Sequence, residues 1–215
     1  MKNENKELCS ECGGYCCKKS GCDYYVSDFK KIDKNTILEA LASEKISIVS
    51  AFAFERLNDD KIVATPFLYL RARNQDRDIV DLYSVKTTCM SLTETGCAYT
   101  YEARPGGGKN LIPQKPICKP LLDPIEQIKA WTPYQGLLSK IVKRITGKSV
   151  NTIIKENVKA MFVRVLNQDF DGVNKNEIED IRDGIPVLIR CFPEEYKEAK
   201  SQHESHSKVY CKTQD

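Results

Sequence analysis

The sequence predicts an α+β fold, with a small antiparallel sheet in the N-terminal part and a helical C-terminal part. Two runs rich in β-branched and aromatic residues, 46–57 and 61–73, predict the sheet. Beyond residue 120, apolar residues recur every three or four positions, which is typical of amphipathic helices. Eight of the ten cysteines lie before residue 120, in two groups. The cysteines therefore belong to the part of the chain that contains the sheet.

The composition excludes some classes of partner. Lysine and arginine total 33 against 30 acidic residues, a formal charge of +3, which is too balanced for the basic stripe typical of nucleic-acid binding. The start, MKNENKELCS, has no apolar export signal, and no apolar run approaches the roughly 18–20 residues of a membrane span. We therefore expect a cytoplasmic protein with no nucleic-acid partner and no membrane association. In that reducing compartment, clustered cysteines are more often metal ligands or redox groups than disulfides.

The first cysteine group lies within CSECGGYCCKKSGC, residues 9–22. Its members are Cys9, Cys12, Cys16, Cys17 and Cys22. The spacing of Cys9 and Cys12 is that of chelating pairs in zinc ribbons and iron–sulfur loops. Glycines at positions 13, 14 and 21 allow positive φ angles, so this loop can turn several sulfurs towards one point.

The sheet is predicted between the two cysteine groups. Strands over 46–57 and 61–73 are joined through NDD, which is a hairpin signal. A third strand over 78–85 leads to Cys89. We expect this small antiparallel sheet to present the second cysteine group at its exit, facing the N-terminal loop.

The second cysteine group comprises Cys89 and Cys97, in TTCMSLTETGCAYTYEARP, and Cys118, in PQKPICKPLL. It is far along the chain from the first group. A metal site that takes ligands from both groups would join distant segments, and its binding free energy would become folding free energy. The sequence therefore predicts a metal-organised N-terminal part.

Helices are predicted on both sides of the sheet. Residues 27–46 have a helical pattern, with Ser27 and Asn35 as candidate N-caps. The later patterns, with Pro124 and Pro133 at positions that helix starts tolerate, cover 123–146, 149–167, 176–192 and 193–200. We divide the chain into a cysteine-cluster metal-binding domain over 1–120, a helical region packed on it over 121–200, and a polar tail over 201–215. Cys191 lies in an apolar stretch and is interpreted as a core residue.

The motifs CSECGGYCC and CMSLTETGCAYTYEARP resemble the YkgJ-type cysteine-cluster family, a zinc- or iron-chelating domain. The likeness covers about the first 120 residues. The matching positions are Cys9, Cys12, Gly14, Cys16, Cys17, Cys89, Leu92, Gly96, Cys97, Tyr101, Arg104 and Pro105. A related cluster occurs in the flagellin lysine-N-methylases, which are linked to an iron–sulfur centre.

The chain departs from this family pattern in two places. One extra residue follows Cys97, so either Tyr101 lies in a small bulge or Tyr99 takes its place. After Pro105, the family pattern has a cysteine within three residues, whereas this chain has GGGKNLIPQKP before Cys118. We interpret that stretch as an inserted glycine-rich loop, with Cys118 in the position of the family's last cysteine.

The resemblance implies a thiolate metal site, with Cys22 as an additional thiol. The predicted ligands are Cys9, Cys12, Cys16, Cys17, Cys22, Cys89, Cys97 and Cys118. Thiolate ligation suits an iron–sulfur cluster and tetrahedral zinc equally, and these eight cysteines could form one metal site or two. The link to the lysine N-methylases favours an iron–sulfur cluster. Tyr101 and Arg104 are expected beside the cofactor, because a guanidinium offsets thiolate charge. Alternatively, the YEARP stretch has only a structural role, in which it packs against the protein and turns the chain.

The leading functional hypothesis is a cytosolic metal-binding protein whose cysteine thiolates chelate an iron–sulfur cluster or zinc. One alternative is an iron–sulfur-dependent protein-modifying enzyme, similar to the lysine N-methylases, which would act on a protein substrate. Another is a zinc-organised interaction module that binds a protein partner. No catalytic motif stands out in the sequence, so enzymatic activity stays an open question.

Overall fold

The computed structural model describes residues 5–14, 17, 22–57, 61–83, 88–115, 118–171, 173 and 175–211. Its strands are β1 Asp23–Tyr24, β2 Ile46–Leu57, β3 Lys61–Ala72, β4 Val80–Asp81, β5 Leu92–Thr93, β6 Gly96–Cys97, β7 Leu111–Ile112 and β8 Lys119–Pro120. Its helices are α1 Lys6–Cys12, α2 Lys34–Ala42, α3 Gly106–Lys109, α4 Pro124–Lys129, α5 Gln135–Thr146, α6 Val150–Leu166, α7 Lys175–Cys191 and α8 Pro193–Cys211. The predicted α+β class, with helices following a small sheet, is confirmed.

The hairpin of β2 and β3 is the largest part of the sheet. The two strands pair antiparallel, from Ile46 opposite Ala72 to Leu57 opposite Lys61, as the β-branched and aromatic runs predict. The predicted turn NDD, residues 58–60, lies outside the described residues. Only the first four residues of β2 are buried, and its last five are exposed. The hairpin therefore anchors at one end in the core and projects at the other.

The rest of the sheet differs from the prediction. Its strand order is β1–β3–β2–β4, and β4 pairs parallel to β2 instead of antiparallel. The predicted strand over 78–85 is wrong in extent, because only Val80–Asp81 is a strand within the described part. The direction of β4 follows from the path of the chain. The chain leaves β3 beside the start of β2, turns back there, and runs alongside β2 in the same direction.

One hydrophobic core joins the sheet to the helices. Its largest fully buried side chains come from both parts of the chain, and they include Trp131, Phe162, Ile37, Ile48, Leu68 and Leu70. Apolar residues at three- and four-residue spacing on α5 and α6 supply the helical side of this core. Within the described residues, no helix combines the length and the apolar character that a membrane span requires.

The start of α2 corrects the predicted caps. Asp33 is the N-cap, and its Oδ1 accepts a hydrogen bond from the backbone N–H of Thr36 at 3.0 Å. Ser27 lies in a separate 3-10 turn, Val26–Asp28, and Asn35 is already inside the helix. The hydrogen bond from Lys31, and then those from the backbone and the hydroxyl of Thr36, lower the pKa of the Asp33 carboxyl group.

Gln135, at the start of α5, completes the hydrogen bonding of β3. Its Oε1 accepts from the backbone N–H of Leu68, and its Nε2 donates to the carbonyl of Leu68, both at 2.8 Å. The edge of β3 that bonds to Gln135 is also the edge that pairs with β1, but β1 pairs only with Leu70 and Arg71. The side-chain amide thus acts as a further strand neighbour and attaches the helical part to the sheet.

Replacing Gln135 with methionine should destabilise the fold. Gln135→Met leaves two backbone groups of the buried Leu68 without partners, so we expect the free energy of unfolding to fall by about 2–4 kcal/mol. Urea denaturation followed by circular dichroism measures the change. Lys140→Met, at an exposed position of the same helix, should alter stability by no more than about 0.5 kcal/mol. Equal stability of the two variants would contradict the role given to Gln135.

Candidate functional site

A cavity of about 50 Å³ lies between the N-terminal helix and the short hairpins that follow the sheet. Six cysteines line it: Cys9, Cys12, Cys17, Cys22, Cys97 and Cys118. The other lining residues include three glycines at positions 14, 96 and 108, and Arg104. Thiols from both cysteine groups of the sequence therefore border one space.

Helix α1 presents Cys9 and Cys12 on one face, because residues three apart in a helix lie on the same side. Its N-cap is Asn5, whose Oδ1 accepts from the N–H of Leu8 at 2.8 Å. Gly13 ends the helix with φ of 63°, and Gly14 follows with φ of 72°. The positive φ angles expected at these two glycines are confirmed, and the third, Gly21, lies outside the described residues. The loop of the first cysteine group thus begins only after Cys12.

The β5–β6 hairpin brings Cys97 to the cavity. Gly96 has φ of 113°, a conformation that residues with a side chain rarely adopt. A Cβ built on Gly96 would lie 3.5 Å from Cβ of Cys9, so α1 packs closely on this hairpin. The hydroxyl of Thr93 donates to the carbonyl of Gly96 at 2.7 Å and fixes the turn.

Three cysteines form a buried cluster, and two of them, Cys17 and Cys22, also line the cavity. Cys17, Cys22 and Cys89 are 4%, 8% and 2% exposed, and they pack with Ala72 at the end of β3. The N–H of Cys89 donates to the carbonyl of Cys17 at 3.0 Å, and the N–H of Ala72 donates to the carbonyl of Cys22 at 2.8 Å. Cys89 also forms an isolated β-bridge with Asn74, just beyond β3. The second cysteine group therefore begins at the exit of the hairpin, as expected.

The stretch PGGGK, residues 105–109, contributes Gly108 to the lining of the cavity. Residues 106–109 of the predicted glycine-rich loop form the helical turn α3 instead of a loop, whereas the insertion relative to the family pattern stays a prediction. A Cβ on Gly107 would lie 2.8 Å from both the backbone N and O of Asp23, and one on Gly108 would lie 3.1 Å from Sγ of Cys22. Glycine is required here because α3 packs directly against the backbone of β1. In the sequence, the run of three glycines was the sign of this close packing.

The β7–β8 pairing returns Cys118 to the cavity. Leu111 and Ile112 pair antiparallel with Pro120 and Lys119, so the chain after α3 doubles back. The N–H of Leu121 also donates to the carbonyl of Asn110 at 2.8 Å.

Arg104 and Tyr101 occupy different positions relative to the cavity. Arg104 lines it and is the one charged residue among the described lining residues. Its guanidinium carbon lies 6.0 Å from the ring centroid of Tyr101, whose hydroxyl donates to the carbonyl of Lys109. Tyr101 is not among the lining residues, so its side chain adjoins Arg104 rather than the cavity. The side chain of Tyr99 forms a hydrogen bond with that of Tyr24. Burial raises the pKa of Tyr24, and the neighbouring Tyr99 raises it further.

The remaining predicted ligands lie elsewhere or outside the described chain. Cys89 packs on Cys17 and Cys22 but does not line the cavity, and Cys16 is not described. Cys191 packs on the hydrophobic core, and burial raises the pKa of its thiol. None of the eight cysteines whose side chains the structure describes forms a disulfide with another of them.

The donor chemistry of the cavity fits a thiolate-bound metal. The lining offers soft sulfur donors, which suit zinc and iron–sulfur centres, together with one cationic side chain, Arg104. Over the described ranges, no group of three or more His, Cys, Asp or Glu side chains is arranged to hold a metal ion as it stands.

No protein-family model matches the chain, and searches of curated proteins and of solved structures found no significant match. The resemblance to the YkgJ-type pattern therefore stays a prediction. The functional argument rests on the residues around the cavity.

An alanine at Gly107 should destabilise the packing of α3 on β1. Its Cβ would meet backbone atoms of Asp23, which cannot move aside as a flexible side chain can, so we expect Gly107→Ala to lower the free energy of unfolding by about 1–3 kcal/mol. Gly184→Ala is the matched control, because nothing lies within 4 Å of a Cβ at that helical position. It should raise the free energy of unfolding by about 0.5–1 kcal/mol. Chemical denaturation of both variants gives the comparison, and a stabilising Gly107→Ala would refute the close packing of α3 on β1.

Proposed function

We propose that the protein binds a thiolate-ligated metal centre, an iron–sulfur cluster or zinc, in the cysteine-lined cavity. The observation that supports this most directly is the convergence of six thiols from four stretches of the chain. These stretches are α1, positions 17 and 22, β6, and the residue before β8. Isolated core cysteines behave as small apolar residues and give no reason for so many to border one space.

The charge of the cavity supports the same function. Four thiolates around a divalent ion carry a net charge of −2, which is costly in a partly enclosed site. Arg104 at the cavity wall would offset part of this charge. A guanidinium beside thiolates can also donate hydrogen bonds to sulfur and tune affinity or potential.

The size of the cavity supports a centre with more than one atom. About 10–15 Å³ is enough space for one water molecule by this measure, so 50 Å³ holds several atoms. A lone zinc ion in a structural site is closed tightly by four ligands. An iron–sulfur cluster or more than one zinc ion uses the available room better.

Metal binding would also explain what holds α1 in place. No residue of this helix is buried. The ion pair between Glu11 and Lys115, at 2.7 Å, joins two largely exposed side chains and contributes only about 0–1 kcal/mol. The face with Cys9 and Cys12 is its main contact with the cavity. Ligation of these thiols would therefore supply free energy that anchors the helix.

The first experiment is the analysis of metal and acid-labile sulfide, with a visible spectrum, on protein purified without oxygen. Iron with matching sulfide and absorbance near roughly 400 nm would assign an iron–sulfur cluster and favour redox or enzymatic chemistry on a protein substrate. Colourless protein with bound zinc would favour a zinc-organised scaffold for a protein partner, because structural zinc has no redox activity. Protein that takes up neither metal refutes the proposed function.

Cysteine variants should separate ligands from core cysteines. Cys97→Ser and Cys12→Ser each remove a lining thiol, so we expect metal affinity to fall by more than about 100-fold, since loss of even an outer partner costs 10–100-fold. Stability should fall with it. Cys191→Ser, away from the cavity, should keep its metal. Competition with a chelator measures affinity, and equal metal content in all three variants contradicts the assignment.

Arg104 offers a separate test of the electrostatic argument. Arg104→Gln removes the positive charge from the cavity wall, and we expect metal affinity to fall by about 10–100-fold. Arg104→Lys keeps the charge and should retain most of the affinity. If both variants lose affinity equally, the guanidinium acts through its shape and hydrogen bonds rather than its charge.

A further inference from the structure

We infer that the free side of strand β2 pairs antiparallel with the same side of a second copy of the chain, with Phe54 at the two-fold axis. This side, which faces away from β3 over residues 50–57, is called the β2 edge below. β4 pairs with the same side of β2 only at Ile48 and Val49, and no other strand in the described part of the chain pairs with it. An uncovered strand edge presents backbone donors and acceptors to a further strand.

Alternate residues of β2 direct their backbone groups towards the β2 edge. The N–H of Ile48 donates to the carbonyl of Ile79, just before β4, at 2.8 Å, so position 48 points away from β3. The pairing with β3 continues without a bulge along all 12 residues of β2. Because the direction alternates along an antiparallel ladder, the backbone groups of Phe52, Phe54 and Arg56 also point outward. A second strand can therefore bond to these positions without disturbing β3.

The opposite edge of the hairpin, along β3, is closed by other means. The N–H of Ala72 donates to the carbonyl of Cys22, and the N–H of Leu68 donates to Gln135, both at 2.8 Å. By the same alternation position 66 faces outward, and Pro66 has no N–H to donate. Proteins protect exposed sheet edges in these ways. β2 contains neither a proline nor a bulge, so nothing within this strand blocks a partner.

The β2 edge lies at the projecting end of the hairpin, where apolar side chains are exposed. The last five residues of β2 are exposed, and among them Phe54 is 51% and Leu57 is 42% exposed. The ring of Phe54 lies beside that of Phe52, with centroids 5.8 Å apart. Covering such side chains with a second copy is favourable, because it removes their apolar surface from water.

The charges of β2 and the position of β4 select one register for a symmetric pair. A two-fold axis through the paired strands places one residue opposite its own copy. A centre at Glu55 or Arg56 would oppose like charges, which destabilises a strand pair. A centre at Phe52 or Ala53 would bring the end of the second β2 against residues that β4 already covers. Among positions 52–56, only a centre at Phe54 avoids both conflicts.

The side chains that this register opposes are complementary. Phe54 lies opposite its own copy and forms an aromatic pair, which stabilises neighbouring strands. Arg56 lies opposite Phe52 of the second copy, and a guanidinium is attracted to the face of an aromatic ring. Leu57 lies opposite Ala51, an apolar pair on the other face of the sheet. Because Phe54 points outward, the two copies also exchange backbone hydrogen bonds at the axis.

The mass of the full-length chain tests this dimer over concentrations from about 1 μM to about 1 mM. Reductant and the exclusion of oxygen prevent intermolecular disulfides. Analytical ultracentrifugation should show a shift from monomer to dimer as the concentration rises, because a short strand pair associates weakly. A wild-type chain that stays monomeric throughout overturns the pairing of two copies and leaves the β2 edge to a strand from another protein.

Two lysine variants test whether the β2 edge is the contact. Phe54→Lys places two positive charges opposite each other at the axis and should stay monomeric. Thr65→Lys adds the same charge at an exposed position of β3 in the same hairpin and should dimerise as the wild type does. Circular dichroism checks that both variants are folded. A folded Phe54→Lys variant that dimerises as strongly as the wild type refutes the proposal.

Amide hydrogen exchange on the wild-type chain tests the register without any variant. Between a dilute and a concentrated sample, exchange measured by NMR should slow several-fold at Phe52, Phe54 and Arg56, whose N–H groups gain partners in the dimer. Exchange at Ala53 and Glu55 should change little, because their N–H groups already point to β3 in the monomer. A dimer that lacks this alternation associates through another surface, and that result overturns the proposal.

Discussion

The pairing of the two-residue strand β1 with the end of β3 is the contact on which both halves of the protein depend. Asp23 and Arg71 are register partners, and their side chains form a largely buried ion pair at 2.7 Å. Arg71 also donates to the hydroxyl of Tyr69 at 2.8 Å, and burial raises the pKa of Tyr69 to about 12. Removing one partner of such a pair typically costs about 3–5 kcal/mol, because the other charge stays buried.

β1 connects the hydrophobic core to the cysteine cavity. On the core side, Nε1 of Trp131 donates to the carbonyl of Tyr24 at 2.9 Å, which links the helical part to this strand. On the cavity side, Cys22 immediately precedes β1 and Gly107 packs on its backbone. A change in the position of β1 would therefore be transmitted to both regions.

The two regions are held together by different interactions. The core contains large apolar side chains from sheet and helices, whose burial stabilises the fold without any ligand. The cavity region has two-residue strands, a four-residue helix and glycine-rich contacts, with little apolar area to bury. Under the proposed function, metal ligation supplies there what the hydrophobic effect supplies elsewhere. This division would let the metal site assemble on a sheet that is already folded.

The sequence by itself determined the elements whose patterns are local and long. The β2–β3 hairpin and helices α5, α6 and α7 follow from runs of ten or more residues with a clear period, whereas α8 continues to Cys211, into the predicted polar tail. The positive φ angles at Gly13 and Gly14 were also predictable from the sequence. Tertiary structure alone decided which cysteines line one cavity, which of them are buried, the parallel direction of β4, and the packing of PGGGK against β1. These features depend on the packing of segments far apart in the chain, and a local pattern contains no information about the surface that a distant segment will present.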